Sequence, residues 1–154
     1  MLIGLSGVGK TYFLDSLQNN KEYSRTPTKG WYEIHTKHEK HDFHIIEYGY
    51  SMPWDTIMHN FDALYVMINA KSPIEELLDI KSQMLVTIEK MKCACLVIIL
   101  VGEEGDKYDI AAQLQLNYIV KYNTHKAIAS INYNKDEWVE SVSRILRWTI
   151  KNIK

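Results

Sequence analysis

Gly4-Leu5-Ser6-Gly7-Val8-Gly9-Lys10-Thr11 completes the pattern G-x-x-x-x-G-K-[ST], a spacing whose chemistry is the holding of phosphates. Glycines at both ends let the backbone curl until successive amide N–H groups point inward at phosphate oxygens. Lys10 adds a cation, and Thr11 adds a hydroxyl that can ligate Mg²⁺. The flanks fit: Met1-Leu2-Ile3 reads as the tail of a buried strand, and Lys10 to Leu17 as a helix whose N-terminal dipole end lies beneath the phosphates. Two glycines, a lysine and a hydroxyl at fixed spacing arise by accident in well under about 1% of chains of this length. Nucleotide binding, or descent from a nucleotide binder, is therefore the reading of this strand, loop and helix unit.

The 154 residues suit a single domain spanning 1–154, long enough to bury roughly two thirds of its unfolded surface. Only Pro27, Pro53 and Pro73 interrupt the chain, no repeat or low-complexity tract is present, and the formal net charge is -1. Such a balance gives no electrostatic reason to expect a nucleic-acid partner. Cys93 and Cys95 stand too close along the chain for a structural disulfide and are expected as reduced core residues of a cytoplasmic protein. No secretory signal and no apolar run near the roughly 18 residues of a bilayer span is present.

Apolar periodicity alternates between short runs and helical stretches, the pattern of an α/β domain with a mainly parallel sheet. Strands are expected at Met1 to Ile3, Gly30 to Thr36, His41 to Glu47, Ala63 to Ile68, Leu96 to Val101 and near Lys126 to Ile131. The second and third form a hairpin about Lys37-His38-Glu39-Lys40, and the two uninterrupted apolar runs read as strands covered on both faces. Ser72-Pro73 opens a long helix with Glu75 and Glu76 in its first turn, and Leu77, Leu78, Met84, Leu85 and Ile88 can share one face. A shorter helix is expected around Ile110 to Leu116, and Asp136 to Ile150 closes the chain as an amphipathic helix carrying Trp138, Val142, Ile145 and Thr149 on one stripe. The sum is a six-stranded, mainly parallel sheet with one antiparallel hairpin strand, flanked by five helices.

With a phosphate loop at the front, a hairpin between two loops and this element order, the chain resembles a P-loop small G domain of the Ras superfamily, and within it the Arf-like branch. Thr26-Pro27-Thr28-Lys29-Gly30-Trp31 resembles the Arf signature P-T-x-G-F of switch I, and Gly4 to Thr11 resembles G-L-D-x-x-G-K-T with Ser6 in place of Asp. The resemblance implies a conformational switch that binds GTP or GDP with Mg²⁺. Nucleotide contacts are then expected from Gly4, Ser6, Gly7, Val8, Gly9, Lys10, Thr11, Tyr12, Thr28, Gly49 and Asp106, and metal contacts from Thr11, Thr28 and, through water, Glu47. It also implies a protein effector docking on switch I, the interswitch hairpin and switch II, with Trp31, Ile46 and Ile57 as the apolar patch; the alternative for Trp31 is a place in the core. Arf relatives usually carry an N-terminal amphipathic helix, often myristoylated. This chain begins inside the first strand, so the expectation is either a truncated chain or a protein that acts in solution without a direct membrane anchor.

The departures from the family pattern bear on activity. The D-x-G-G-Q of switch II stands here as Glu47-Tyr48-Gly49-Tyr50-Ser51. Tyr50 replaces a glycine whose amide meets the γ-phosphate, and Ser51 is too short to orient water as the family's Gln does, so no catalytic residue is assigned and intrinsic hydrolysis is expected to be slow or absent. In Gly102-Glu103-Glu104-Gly105-Asp106, Asp106 falls on the aspartate of N-K-x-D that pairs with guanine, while Glu104 cannot reproduce the lysine that packs over the base. The acidic stretch can equally be a solvated loop.

Two further constellations bear on function. His35, His38, His41 and His44 recur every third residue across the hairpin, which in strand geometry spreads the rings over both faces and argues for a solvated hairpin over a zinc site. Lid arginines of a P-loop kinase are missing: Arg25, Arg144 and Arg147 are the only arginines, and two lie on the last helix. The competing readings are thus a divergent Arf-like GTPase and a pseudo-GTPase, an interaction module that keeps the fold without cycling.

Overall fold

The computed structural model describes residues 1–18, 30–49, 53–54, 60–90, 95–119, 125–132 and 134–153. Along the chain run β1 (Leu2–Gly4), α1 (Lys10–Leu17), β2 (Trp31–His38), β3 (His41–Tyr48), β4 (Ala63–Asn69), α2 (Ile74–Lys90), β5 (Cys95–Val101), α3 (Glu104–Gln113), α4 (Leu116–Ile119), β6 (His125–Ile131) and α5 (Lys135–Asn152). The six strands form one sheet in the order β2-β3-β1-β4-β5-β6. All pairings are parallel except the β2–β3 hairpin.

The apolar runs become central strands because every position can be covered. On β4, Leu64, Val66 and Ile68 face a core completed by Leu77, Ile80 and Met84 of α2 and by Ile110, Leu114, Leu116 and Ile119 of α3 and α4. The alternate residues Ala63, Tyr65 and Met67 face a second core with Phe13 and Leu14 of α1 and Trp138, Val142, Ile145 and Leu146 of α5. The buried Tyr65 hydroxyl donates to Thr149 Oγ1 at 2.9 Å, and Thr149 in turn donates to Ile145 O at 2.9 Å, so these two hydroxyls of the second core are satisfied in series.

Several boundaries shift from expectation. The hairpin ladder runs on to His38 opposite His41, leaving a loop of Glu39 and Lys40 alone, with Glu39 at φ 55 as a two-residue turn demands of its first position. The four helices of eight residues or more are joined by the single turn α4, ended upstream by Gln115 at φ 51. The helix expected at Ile110 to Leu116 starts instead at Glu104, because acidic residues that read as loop are also favourable in a first helical turn. On α2 the buried face is Leu77, Ile80, Met84 and Thr87, with Thr87 donating to Gln83 O at 2.7 Å, whereas Leu78 and Leu85 are exposed at 52% and 43%. The contact with the sheet is narrower than the apolar stripe of that helix.

The cap of α5 explains the sharp start of the last helix. The Asn134 side chain accepts from Asp136 N–H at 3.1 Å, and Asp136 and Glu137 lie at the positive end of the dipole. The α2 correction gives a direct test in urea. Met84→Ala is expected to lower stability by about 2–5 kcal/mol, and Leu85→Ala by less than about 0.5 kcal/mol.

Candidate phosphate and nucleotide site

The loop after β1 sits where the strand order reverses, with β3 on one side of β1 and β4 on the other, at the C-terminal ends of the parallel strands. Open α/β sheets bind ligands at such a point. Gly4 is in register with Met67, and a Cβ on it would lie 2.5 Å from the Met67 carbonyl oxygen and 3.1 Å from Val8 Cγ1. No other residue lets β1 stay this close to β4 while turning into the loop. Gly9, the N-cap of α1, has φ 99, and a Cβ there would meet Trp138 Cη2 at 3.1 Å. Ser6 and Gly7 form the exposed tip, and Val8 is buried underneath. The N–H groups of the first turn of α1 point along its axis toward the concave side of the loop.

Lys10 is 5% exposed, yet it carries an ammonium. Its Nζ donates to Gly4 O and to Leu5 O, both at 2.8 Å, which uses two of its three hydrogens. Burial pulls its pKa below the ordinary 10.5, and the Glu47 carboxylate opposes that fall. Glu47 is itself 2% exposed and is brought to the loop by the single β1–β3 register pair, Leu2 with Glu47. Its Oε2 and Oε1 lie 3.0 and 3.1 Å from Thr11 Oγ1, so the hydroxyl hydrogen points to the carboxylate. A hydroxyl and a carboxylate side by side are hard oxygen donors, the set that suits Mg²⁺.

On the far side, the ends of β4, β5 and β6 are stitched together. Ala70 N–H donates to Val101 O at 2.9 Å and Gly102 N–H to Ile131 O at 3.0 Å. A Cβ on Gly102 would stand 2.8 Å from the Cβ of Ala70 and 3.7 Å from Asp106 Oδ2. Asp106 thus lies in the first turn of α3, facing this seam, and its buried Oδ2 has no hydrogen-bond partner among the described residues. Glu103 pairs with Lys71 at 3.4 Å on the surface. Tyr12 packs edge-on against Trp138, ring centroids 4.7 Å apart at 79°. Trp138 is 4% exposed, and its Nε1 is also without a partner. In sequence Trp138 is one of several apolar positions on the α5 stripe, and its contact with the loop exists only in the fold.

The structure brings Gly4, Ser6, Gly7, Val8, Gly9, Lys10, Thr11, Tyr12 and Glu47 together around one loop. Gly49 differs: its N–H donates to Gly30 O at 2.7 Å, so that amide is engaged within the protein. Thr28, Tyr50, Ser51 and Ile57 lie outside the described residues, as does Cys93, while Cys95 is buried at the start of β5. Trp31 is 64% exposed, which removes the core alternative, and Ile46 packs partly buried against the α2-side core. The histidines occupy both faces of the hairpin, as the spacing implies, but meet in pairs: His35 stacks on His44 at 4.2 Å and 9°, and His38 stands opposite His41. Among the described residues no group of three or more His, Cys, Asp or Glu side chains could hold a metal ion.

Two cavities lie away from the loop, one of about 280 Å³ between β6 and α5 and one of about 690 Å³ beside the start of β4 and the end of α5. Neither is lined by Gly4 to Thr11. No helix among the described residues is long and apolar enough to cross a membrane.

No protein-family model matches the chain, and no curated protein matches it in sequence. Similarity to solved structures is extensive. A chain of the structure of the mammalian SRP receptor, with a small-GTPase-like fold, superposes with TM-score 0.70 over 96% of this chain and 97% of that one, at 10% identity. The chain has the small G-domain fold. With 259 solved chains matching it, the scaffold is one reused widely, and function has to be argued from the site.

The opposing influences on Lys10 can be separated by titration. Glu47→Gln removes the negative neighbour, so the Lys10 ammonium should titrate at still lower pH than in the parent protein. Side-chain NMR of the lysine Nζ groups follows this directly, and an unmoved or raised Lys10 pKa would contradict the geometry.

Proposed function

We propose that this protein is a divergent small GTPase of Arf-like type that binds GTP or GDP with Mg²⁺ and presents its switch segments and hairpin to a protein partner in the cytoplasm. The observation that carries the reading is the buried Lys10, fixed by Gly4 O and Leu5 O at the mouth of an amide-lined turn. An ammonium held there with one hydrogen uncommitted fits a polyphosphate tail, whose oxygens complete its shell. Thr11, beside Glu47, would hold the metal, with Thr28 as the switch I ligand. Asp106, with an unmet buried oxygen, supports a base with adjacent N–H donors, as guanine has. A bound triphosphate would supply the γ-phosphate that distinguishes the two states of such a switch.

The exposed Trp31 at the start of edge strand β2 supports the hairpin as the partner surface, since large exposed aromatics are enriched at interfaces. Tyr50 and Ser51 favour weak or absent intrinsic hydrolysis. They equally support a second reading, a pseudo-GTPase that holds nucleotide without cycling.

Three measurements test this. Denaturing the purified protein and identifying the released nucleotide by chromatography should yield GDP or GTP. Lys10→Ala should weaken triphosphate binding at least about 100-fold in calorimetry, and undiminished binding would refute the assignment. A single-turnover GTP assay without activator should show little or no hydrolysis; an ordinary small-GTPase rate would sink the view of Tyr50 and Ser51.

A further inference from the structure

The two edges of the sheet differ in how they meet solvent. Edge strand β2 carries exposed Glu33 and Lys37, and charged side chains on an edge keep a further strand away. On the other edge, the β6 run Ala127-Ile128-Ala129-Ser130-Ile131 has no charge and no proline, and His125 to Ser130 are only half-buried. The one lysine of that strand, Lys126, turns back to donate to Ile119 O at 3.4 Å. Backbone polar groups alternate sides along a strand, and Ile131 O accepts from Gly102 N–H on the β5 side. By that alternation the N–H and C=O of Ile128 point away from β5, to a side where no strand lies among the described residues.

Beside this edge the small side chains of Ala127 and Ala129 leave a groove of about 280 Å³ against α5, lined on the helix side by Ser141, Arg144 and Trp148. At roughly 3.6 residues per turn, Glu137, Glu140, Arg144, Arg147 and Lys151 fall on the same outward stripe of that helix. The first half of the stripe is acidic and the second half basic. Arg144 gives one N–H to Ser141 Oγ at 3.0 Å, and neither it nor Glu140, four residues away, forms an ion pair among the described residues. Two copies of such a stripe, side by side and antiparallel, set each acidic half against a basic half.

We propose that the partner at this edge is a second copy of the chain, in a two-fold dimer whose β6 strands pair antiparallel and join the two sheets into one. An axis perpendicular to the sheet at Ile128 makes the two Ile128 residues a hydrogen-bonded pair and sets Ala127 opposite the partner subunit's Ala129. The same axis keeps both α5 helices on one face of the joined sheet, running antiparallel beside each other. Glu137 and Glu140 of each then face the basic half of the other. An acidic peptide of another protein would satisfy Arg144 but set its own charge against Glu137 and Glu140; a copy of this chain satisfies both halves. The β6 edge lies at the far end of the sheet from the β2–β3 hairpin, so the dimer leaves that hairpin open. It stands whether or not the Gly4 to Thr11 loop holds a nucleotide.

Sedimentation equilibrium of the whole protein at several loading concentrations should show a monomer–dimer equilibrium that weakens as salt rises. Arg144→Glu is expected to raise the dimer dissociation constant about tenfold or more. Adding Glu140→Arg to that variant should restore association, which a merely structural role for Arg144 would not give. Ile128→Pro removes the outward N–H and should abolish the dimer; proline is compatible with a sheet edge whose N–H faces solvent, and circular dichroism checks the fold. A parent protein that is monomeric at every concentration overturns the proposal and leaves the edge to a strand of another protein. A dimer indifferent to these changes, or one that the double variant does not regain, overturns it as well. Arg144 lies on an exposed helix face, so its variants decide the matter even if the proline variant does not fold.

Discussion

The buried ammonium of Lys10 is the constraint on which the rest of the structure turns. A lone cation removed from water is costly, and it persists only where oxygens replace its hydration shell. Here those oxygens are the carbonyls of Gly4 and Leu5, with the Glu47 carboxylate nearby. The two carbonyls can turn inward only because the chain leaves β1 at Gly4, and Gly4 can occupy that place only because it has no Cβ to strike Met67 O. The register of β1 on β4 and of β1 on β3 is thereby tied to a single side chain: a slip of one residue along β4 would move Gly4 away from Met67, and one along β3 would turn Glu47 to the opposite face.

The two cores answer to this end of the sheet in different ways. The α1 and α5 core reaches the loop directly, through Trp138 on Gly9 and Tyr12, so loop shape and helix packing are one mechanical unit. The α2, α3 and α4 core reaches it only through the ends of β4 and β5, where a Cβ on Gly102 would stand 2.8 Å from the Cβ of Ala70. The Gly4 to Thr11 side is therefore braced by a helix, whereas the Asp106 side is set by backbone seams between strands.

Much of this was legible in the residues. The eight-residue motif placed β1, the loop and α1 correctly, because each of its constraints is local: positive φ, close approach and a helix start. The runs Ala63 to Ile68 and Leu96 to Val101 declared central strands, because only a sheet covered on both faces removes uninterrupted apolar side chains from water. The acidic start of α3 was hidden because Glu103-Glu104-Gly105-Asp106 has no apolar period and reads equally as loop or first turn. The buried face of α2 was misjudged at Leu78 and Leu85, since a helix with apolar residues on two adjacent stripes does not say which stripe meets the sheet. Trp138 was placed on the right stripe, but its contact with Gly9 joins distant parts of the chain, and no local pattern encodes it. Thr28, Tyr50 and Ser51 remain sequence arguments, lying outside the described residues.

The polar atoms left over are as informative as those satisfied. Within the described residues several short polar side chains of the helices find partners: Ser16 donates to Phe13 O, Thr87 to Gln83 O, Thr149 to Ile145 O and Asn152 to Trp148 O. Backbone seams at Ala70, Gly102 and Gly49 are likewise closed. Against that record, Asp106 Oδ2 and Trp138 Nε1 stand unmet, of opposite hydrogen-bonding sense, at the C-terminal end of the sheet. A packing defect gives no account of why both fall at the end of the sheet that carries the Gly4 to Thr11 loop. A site that gains its last hydrogen bonds from a ligand would leave such atoms open.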